Sequence, residues 1–184
     1  MYKRVVLKNL SFRKGALRYY NDVDAIVHPT NLNPLDLYTE RDLEIQKHAS
    51  LHYHSDLFVY NLGGKLKAGE FYCVEGNEDS YFNNILFFFY DEDTSFAEVI
   101  YKTLTQFPGI EAFKEGGSIL FILDEIWIQG RIREAVRDIE MAFYSAKESS
   151  DGNVLERYSE IILLCGQEGL YEPLKNSWKL IIQE

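Results

Sequence analysis

The sequence predicts an α/β domain, a sheet of mostly parallel strands with helices packed on its faces. Three observations predict it. In the second half of the chain, apolar runs of strand length alternate with segments of helical periodicity, and that order places successive strands parallel. The run Ile85 to Tyr90 is wholly apolar, the pattern of a strand covered on both faces. The chain has 184 residues, 46% hydrophobic and 15% aromatic, with no internal repeat, low-complexity stretch or interdomain linker. It therefore reads as one domain spanning 1–184 with enough apolar surface to bury a core.

Taken in order, Arg4 to Leu10 reads as a strand interrupted by Lys8 and Asn9. Asp24 to His28 is a short buried strand, expected to stop at Pro29. Residues 30 to 56 are the least regular segment, polar and holding His48, His52 and His54. Leu57 to Tyr60 fits either a helix end or a strand. Phe71 to Val74 is a strand between Gly69 and Gly76, followed by the Ile85 to Tyr90 strand. Ser95 and Glu98 then make a capping box, in which each side chain satisfies a free N–H of the first helical turn. Phe96, Ile100, Leu104 and Phe107 recur on one face of that helix, and Pro108-Gly109 ends it. Ser118 to Leu123 is the next strand. Ile132, Ala135, Val136, Ile139 and Phe143 mark a helix of about 16 residues by their periodicity. After a polar loop at Ser149 to Asn153 comes a strand at Glu160 to Cys165. Pro173 suits the first turn of a last helix, with Leu174, Trp178 and Ile181 turned inward.

Composition narrows the function classes. The net charge is −10, and a field of that sign opposes the phosphate contacts that dominate general nucleic-acid binding. Cys73 and Cys165 sit in apolar strand-like runs, as buried free thiols do. No apolar stretch approaches the roughly 20 residues that cross a bilayer, and the opening Met1 to Val6 has a basic pair with no apolar run behind it. The expectation is a cytoplasmic protein with no membrane partner.

Lys14-Gly15-Ala16-Leu17, followed by Val23-Asp24-Ala25-Ile26-Val27-His28-Pro29-Thr30-Asn31, resembles the opening of a macrodomain, which typically carries a Gly-Asp-Ile-Thr turn and then Val-Asp-Ala-Ile-Val-Asn-Ala-Ala-Asn. The likeness continues in order through most of the chain. Gly64 to Gly76 resembles the family's Gly-x-Cys-x-Thr-Gly-Glu-Ala stretch. Asn84 to Tyr90 and Ser118 to Leu123 stand where two family strands stand, and Arg131 to Ala146 where a helix follows the second phosphate loop. Tyr158 to Ile182 is similar to the closing strand and helix, with a Tyr-Glu-x-x-Lys-like sequence at Tyr171 to Lys175. The resemblance implies a three-layer α/β/α domain with a mixed, mostly parallel central sheet. It also implies a cleft for ADP-ribose at the carboxyl ends of the strands, where open α/β sheets bind ligands and main-chain N–H groups of glycine turns and helix starts hold a diphosphate.

On that resemblance, Asn31 is the distal-ribose asparagine and His28 replaces the asparagine before it. The plainer alternative for Asn31 is a turn residue after Pro29. Ala16 stands where the family has its adenine-reading aspartate. The first phosphate loop has become Leu32 to Glu40, and no glycine lies between Gly15 and Gly63, so main chain there is screened from a pyrophosphate by side chains. The second has become Asp124 to Gly130. In it Trp127 can stack on a ring or merely cap the core, and Gly130 with Arg131 opens a helix able to take an anion. The candidate ligand residues are thus Asn31, His28, Trp127, Gly130 and Arg131.

No cofactor is called for. His48 and His52, at i, i+4, and the Asp91-Glu92-Asp93 run admit a metal, but such patterns are more often a polar helix face and a solvated turn, so no metal site is assigned. Three functions remain open. The first is a binding module for ADP-ribose or a related small nucleotide. The second is a non-catalytic interaction domain with a protein partner, to which the 25 Phe and Tyr residues lend weight. The third, a hydrolase of ADP-ribosyl groups, is the one the altered loops oppose, so binding ranks ahead of catalysis and whether the chain is an enzyme stays open, with this hydrolysis as the activity if there is one.

Overall fold

A computed structural model describes residues 8–20, 22–31, 67–76, 82–91, 93–123, 132–149, 154–166 and 171–176. Six strands form one sheet: β1 (Leu10–Lys14), β2 (Ala25–Asn31), β3 (Phe71–Glu75), β4 (Asn84–Tyr90), β5 (Ser118–Leu123) and β6 (Glu160–Cys165), in the order β1-β6-β5-β2-β4-β3. Neighbours are parallel throughout except β3 against β4. The sheet is therefore mixed and mostly parallel, flanked by helices α1 (Phe96–Gln106) and α2 (Ile132–Lys147), with residues 171–176 also helical.

Strand side chains alternate between faces, and the core divides accordingly. Ala25, Val27, Leu86, Phe88, Ile119 and Phe121 join α1 and α2 in one cluster, which Leu174 completes. Ile26, Ile85, Phe87, Leu120, Ile162 and Leu164 point the other way and meet Leu17, Tyr20, Val23 and Phe82. The apolar run of β4 after Asn84 needs both clusters, since its odd and even residues are buried on opposite sides.

The helices follow the expected pattern. Ser95 Oγ accepts the Glu98 N–H at 3.1 Å, while the Glu98 carboxylate turns to Lys102 Nζ at 2.7 Å, so half of the capping box forms. Phe96, Ile100, Leu104 and Phe107 are all buried. The α2 helix runs 16 residues, and Pro173 sits in the first turn of the helical stretch 171–176.

Two elements differ from the sequence reading. The strand read at Arg4 to Leu10 is displaced at its described end: β1 begins at Leu10, and Arg4 to Leu7 lie outside the described residues. Lys8 and Asn9 form a turn, and Asn9 Nδ2 donates to the carbonyls of Leu155 and Tyr158 at 2.8 and 2.9 Å. Asn9 thus anchors the strand start, and polar Ser11 and Arg13, both bonded to Glu160, disguise β1 as a turn. The second strand does not stop at Pro29; it runs to Asn31 beside β4. Past Val27 it has lost β5 as a partner, and a strand open on one side tolerates proline's missing N–H. Leu57 to Tyr60 and the loop at 150–153 lie outside the described residues.

Asp24 ties the amino ends of three strands together. Its Oδ2 accepts the Ser118 N–H at 2.8 Å and the Ser118 hydroxyl at 3.2 Å. Its Oδ1 accepts from Asn83 Nδ2 at 3.1 Å and Lys114 Nζ at 3.2 Å, and its carbonyl accepts the Asn84 N–H at 2.9 Å. Burial alone would raise its pKa; the bonds from Ser118, Lys114 and Asn83 outweigh burial and hold the carboxyl below its usual range. Gly117 makes this approach possible. A Cβ there would lie 2.9 Å from the Lys114 carbonyl oxygen and 3.3 Å from Asp24 Cγ and Oδ2.

Two outcomes are expected. Asp24→Asn puts an amide among groups that donate, and it should cost about 2 kcal/mol in urea unfolding at pH 7. Because the folded-state pKa is lowered, that deficit should be complete above the unfolded-state value of about 4 and should shrink as pH falls through the folded value. A deficit unchanged at pH 3 would contradict the network. Gly117→Ala should cost about 1–3 kcal/mol by overpacking. Gly109→Ala is the internal control, since its added Cβ meets nothing within 4 Å and the change should stay within about 0.5 kcal/mol.

Candidate functional site

The five parallel strands β1, β6, β5, β2 and β4 all end on one edge of the sheet, at Lys14, Cys165, Leu123, Asn31 and Tyr90. The antiparallel β3 starts on the same edge. Its leading turn is stitched to β4: Gly69 N–H donates to the Phe89 carbonyl at 2.8 Å and Phe89 N–H to the Glu70 carbonyl at 2.9 Å. Gly69 adopts φ +83°, a conformation that glycine reaches without steric cost. One rim therefore gathers the Gly15 turn, Asn31, the Gly69 turn and Asp91, and an edge of this kind is where open α/β sheets hold ligands.

Asn31 is the last residue of β2 and pairs with Tyr90, the last of β4. It stands at the mouth of the sheet. His28, three residues earlier, is only 3% exposed, and its ring meets the partner-strand Phe87 edge to face at 5.7 Å. Trp127, Gly130 and Arg131 lie outside the described residues, as do His48, His52 and His54.

At the end of β1, Gly15 (φ +136°) turns the chain and donates its N–H to the Cys165 carbonyl at 3.3 Å. Ala16 follows in extended conformation and caps the 3-10 turn Leu17–Tyr19 without a side-chain hydrogen bond; no acidic residue lies in that turn. The place that the resemblance gives to an aspartate thus carries a methyl group.

An aromatic and basic cluster completes this corner. Tyr171 stacks on Phe12 with centroids 5.3 Å apart and planes 1° from parallel. Lys14 Nζ and Lys175 Nζ lie 5.8 and 5.2 Å from the centre of the same Tyr171 ring. Arg13 lies 5.8 Å over the Tyr20 ring and pairs with Glu160, and the Tyr20 hydroxyl donates to the Lys14 carbonyl at 3.1 Å. Burial pushes the Tyr20 phenol above its usual range; Arg13 opposes this, and Tyr171 and Glu160 add to it. The sequence reading missed this cluster. Its visible signal was the i, i+4 pair Tyr171 and Lys175, but Lys14 joins them from the far end of the chain.

Other chemistry is weakly represented. Burial first, then Glu75, pushes the Cys73 thiol up to about 11, so at neutral pH it is protonated and a poor nucleophile. Asp91 Oδ1 accepts from the Thr94 hydroxyl at 2.8 Å and the Asp93 N–H at 3.1 Å; these bonds, the Thr94 hydroxyl foremost, hold its carboxyl below the ordinary range. Among the described residues no group of three His, Cys, Asp or Glu side chains is placed to hold a metal ion, and no helix is long and apolar enough to cross a membrane.

No protein-family model matches the sequence, and no curated protein does. Solved structures do. The Trypanosoma brucei macrodomain in complex with ADP-ribose superimposes with a TM-score of 0.64 at 17% identity, covering 93% of this chain and 69% of that one. The Oceanobacillus iheyensis macrodomain with ADP gives 0.66 at 14% identity, covering 98% and 96%. The macrodomain of Mycobacterium tuberculosis DarG gives 0.55 at 14% identity, covering 84% and 96%. At such identities the likeness speaks for the backbone path alone, and it extends over nearly the whole chain: this protein has the macrodomain fold.

Proposed function

We propose that this chain is a nucleotide-binding module whose ligand is ADP-ribose or a close relative, held at the carboxyl-end rim of the sheet. The observation that carries the reading is Asn31. It closes β2 on the edge where all the parallel strands end, in a fold that includes a Trypanosoma brucei structure with ADP-ribose and an Oceanobacillus iheyensis structure with ADP. An amide at a strand end donates and accepts together, which suits a ribose diol. His28 lies below it in the same strand, and the reading assigns Trp127, Gly130 and Arg131 to the far wall, with Trp127 against a ring and the Gly130-Arg131 helix start against phosphate.

The reading is of weak binding without turnover. Leu32 to Glu40 has no glycine and carries Asp36 and Glu40, so side chains and negative charge stand where main-chain N–H groups would otherwise approach a diphosphate. Ala16 removes a carboxylate acceptor for adenine. The interaction-domain alternative draws less support. Among the described residues, the large exposed apolar side chains are Tyr19, Tyr72 and Met141, and they are spread over the turn after β1, the opposite sheet edge and α2 rather than gathered into a patch.

Calorimetric titration of the full chain with ADP-ribose should give a dissociation constant of about 0.1–1 mM, and Asn31→Ala should weaken it about tenfold, as loss of one or two hydrogen bonds does. Absence of heat and of any thermal shift at millimolar ADP-ribose would reject the nucleotide. Release of ADP-ribose from a mono-ADP-ribosylated protein, abolished by Asn31→Ala, would replace binding with hydrolysis.

A further inference from the structure

We propose that Lys14 and Lys175, gathered on the Tyr171 ring at the carboxyl end of β1, form an anion subsite that takes a phosphate group. The lysine pair stands on its own geometry; that the phosphate belongs to a nucleotide rests on the functional reading above. Phe12 covers one face of Tyr171 and fixes the ring, and Leu174, buried in the core, anchors the turn that carries Tyr171 and Lys175. The electron-rich ring attracts both ammonium groups, from 5.8 and 5.2 Å. A dianion at this corner is attracted to each of them. Lysine is a compact point charge with three donors, and two of them can meet a tetrahedral phosphate from different directions, a geometry that planar carboxylates match less well.

The surroundings favour an anion on balance. Glu160, the acidic neighbour on β6, is engaged by Arg13 and by Ser11, whose hydroxyl donates to it at 2.8 Å. The turn that follows Lys14 contributes no acidic residue. Glu172, the residue after Tyr171, is exposed, where solvent and salt screen its charge.

The test is an NMR titration of the full chain with inorganic phosphate against matched sodium chloride, followed at the tyrosine ring and lysine side-chain resonances. It is joined to calorimetry with ADP-ribose and with ADP-ribose bearing an additional 2′-phosphate. Wild type, K14Q/K175Q and the charge-conserving K14R/K175R are compared, with unfolding curves checking that each folds. Phosphate should shift Tyr171 with millimolar affinity, the Gln pair should weaken this at least about tenfold, and the Arg pair should retain it. The 2′-phosphorylated ligand should bind wild type about tenfold more tightly than ADP-ribose and lose that advantage in the Gln pair. A Tyr171 resonance unmoved by phosphate at tens of millimolar, or moved equally in the Gln pair, overturns the subsite. Phosphate binding that the Gln pair abolishes, with neither nucleotide bound, upholds the subsite as one for free phosphate and overturns the nucleotide reading instead.

Discussion

The geometry of this domain depends on one carboxylate. Asp24 has a side chain 18% exposed, and it accepts hydrogen bonds from Ser118, Asn83 and Lys114. Those partners belong to the approaches to β5 and β4, so a single charge sets where β2, β4 and β5 begin relative to one another. Parallel strands have no tight turn to fix their register, and a one-residue slip would exchange the two faces of the strand that slips. The β4 strand is vulnerable to such a slip, because from Ile85 to Tyr90 both of its faces are apolar. Hydrophobicity cannot choose between its registers; a hydrogen-bonded anion at the sheet's amino edge can. With these amino ends pinned, the opposite edge is determined as well, and Asn31, Tyr90 and Leu123 emerge in fixed relation to each other.

The second half of the chain was legible from periodicity alone. The helix at 132–147 and the strands at 118–123 and 160–165 coincide with their patterns, because each is fully committed to the core on one face or both. The misreadings fall on β1 and β2, and both have one physical source. Among the described residues β1 pairs only with β6, so its alternate residues are free to be polar, and Ser11 and Arg13 erase the apolar run. β2 leaves its β5 partner after Val27, so Pro29 loses its force as a terminator. Pattern reading works where burial is two-sided and falters where a strand has an open side.

The site divides along the same line. Asn31 and Asp24 are singled out by the order of residues in the resemblance rather than by periodicity, which ends their strand before Pro29. Trp127, Gly130 and Arg131 rest on the sequence and the proposal. The cluster around Tyr171 was not legible, since it is assembled from Phe12, Lys14 and Lys175 at opposite ends of the chain. No local spacing announces a contact that exists only because β1 lies beside β6, the strand that leads into the 171–176 helical turn.

That adjacency also bears on how the proposed subsite would take an anion in a chain of net charge −10. At physiological ionic strength, charges more than about 8 Å apart in solvent are largely screened from each other. Carboxylates scattered over the rest of the surface therefore weigh little at the Tyr171 ring, while Lys14 and Lys175, each within 5.8 Å of its centre, act at close range. Glu160 is the acidic side chain on the neighbouring strand, and Arg13 neutralises it in place. The overall charge governs long-range encounter and disfavours extended polyanions; it does not govern a single phosphate at this corner. On the reading proposed above, a domain of this net charge opposes an extended polyanion and still takes a single phosphate at the Lys14 and Lys175 corner, because the first effect is long-range and the second is local.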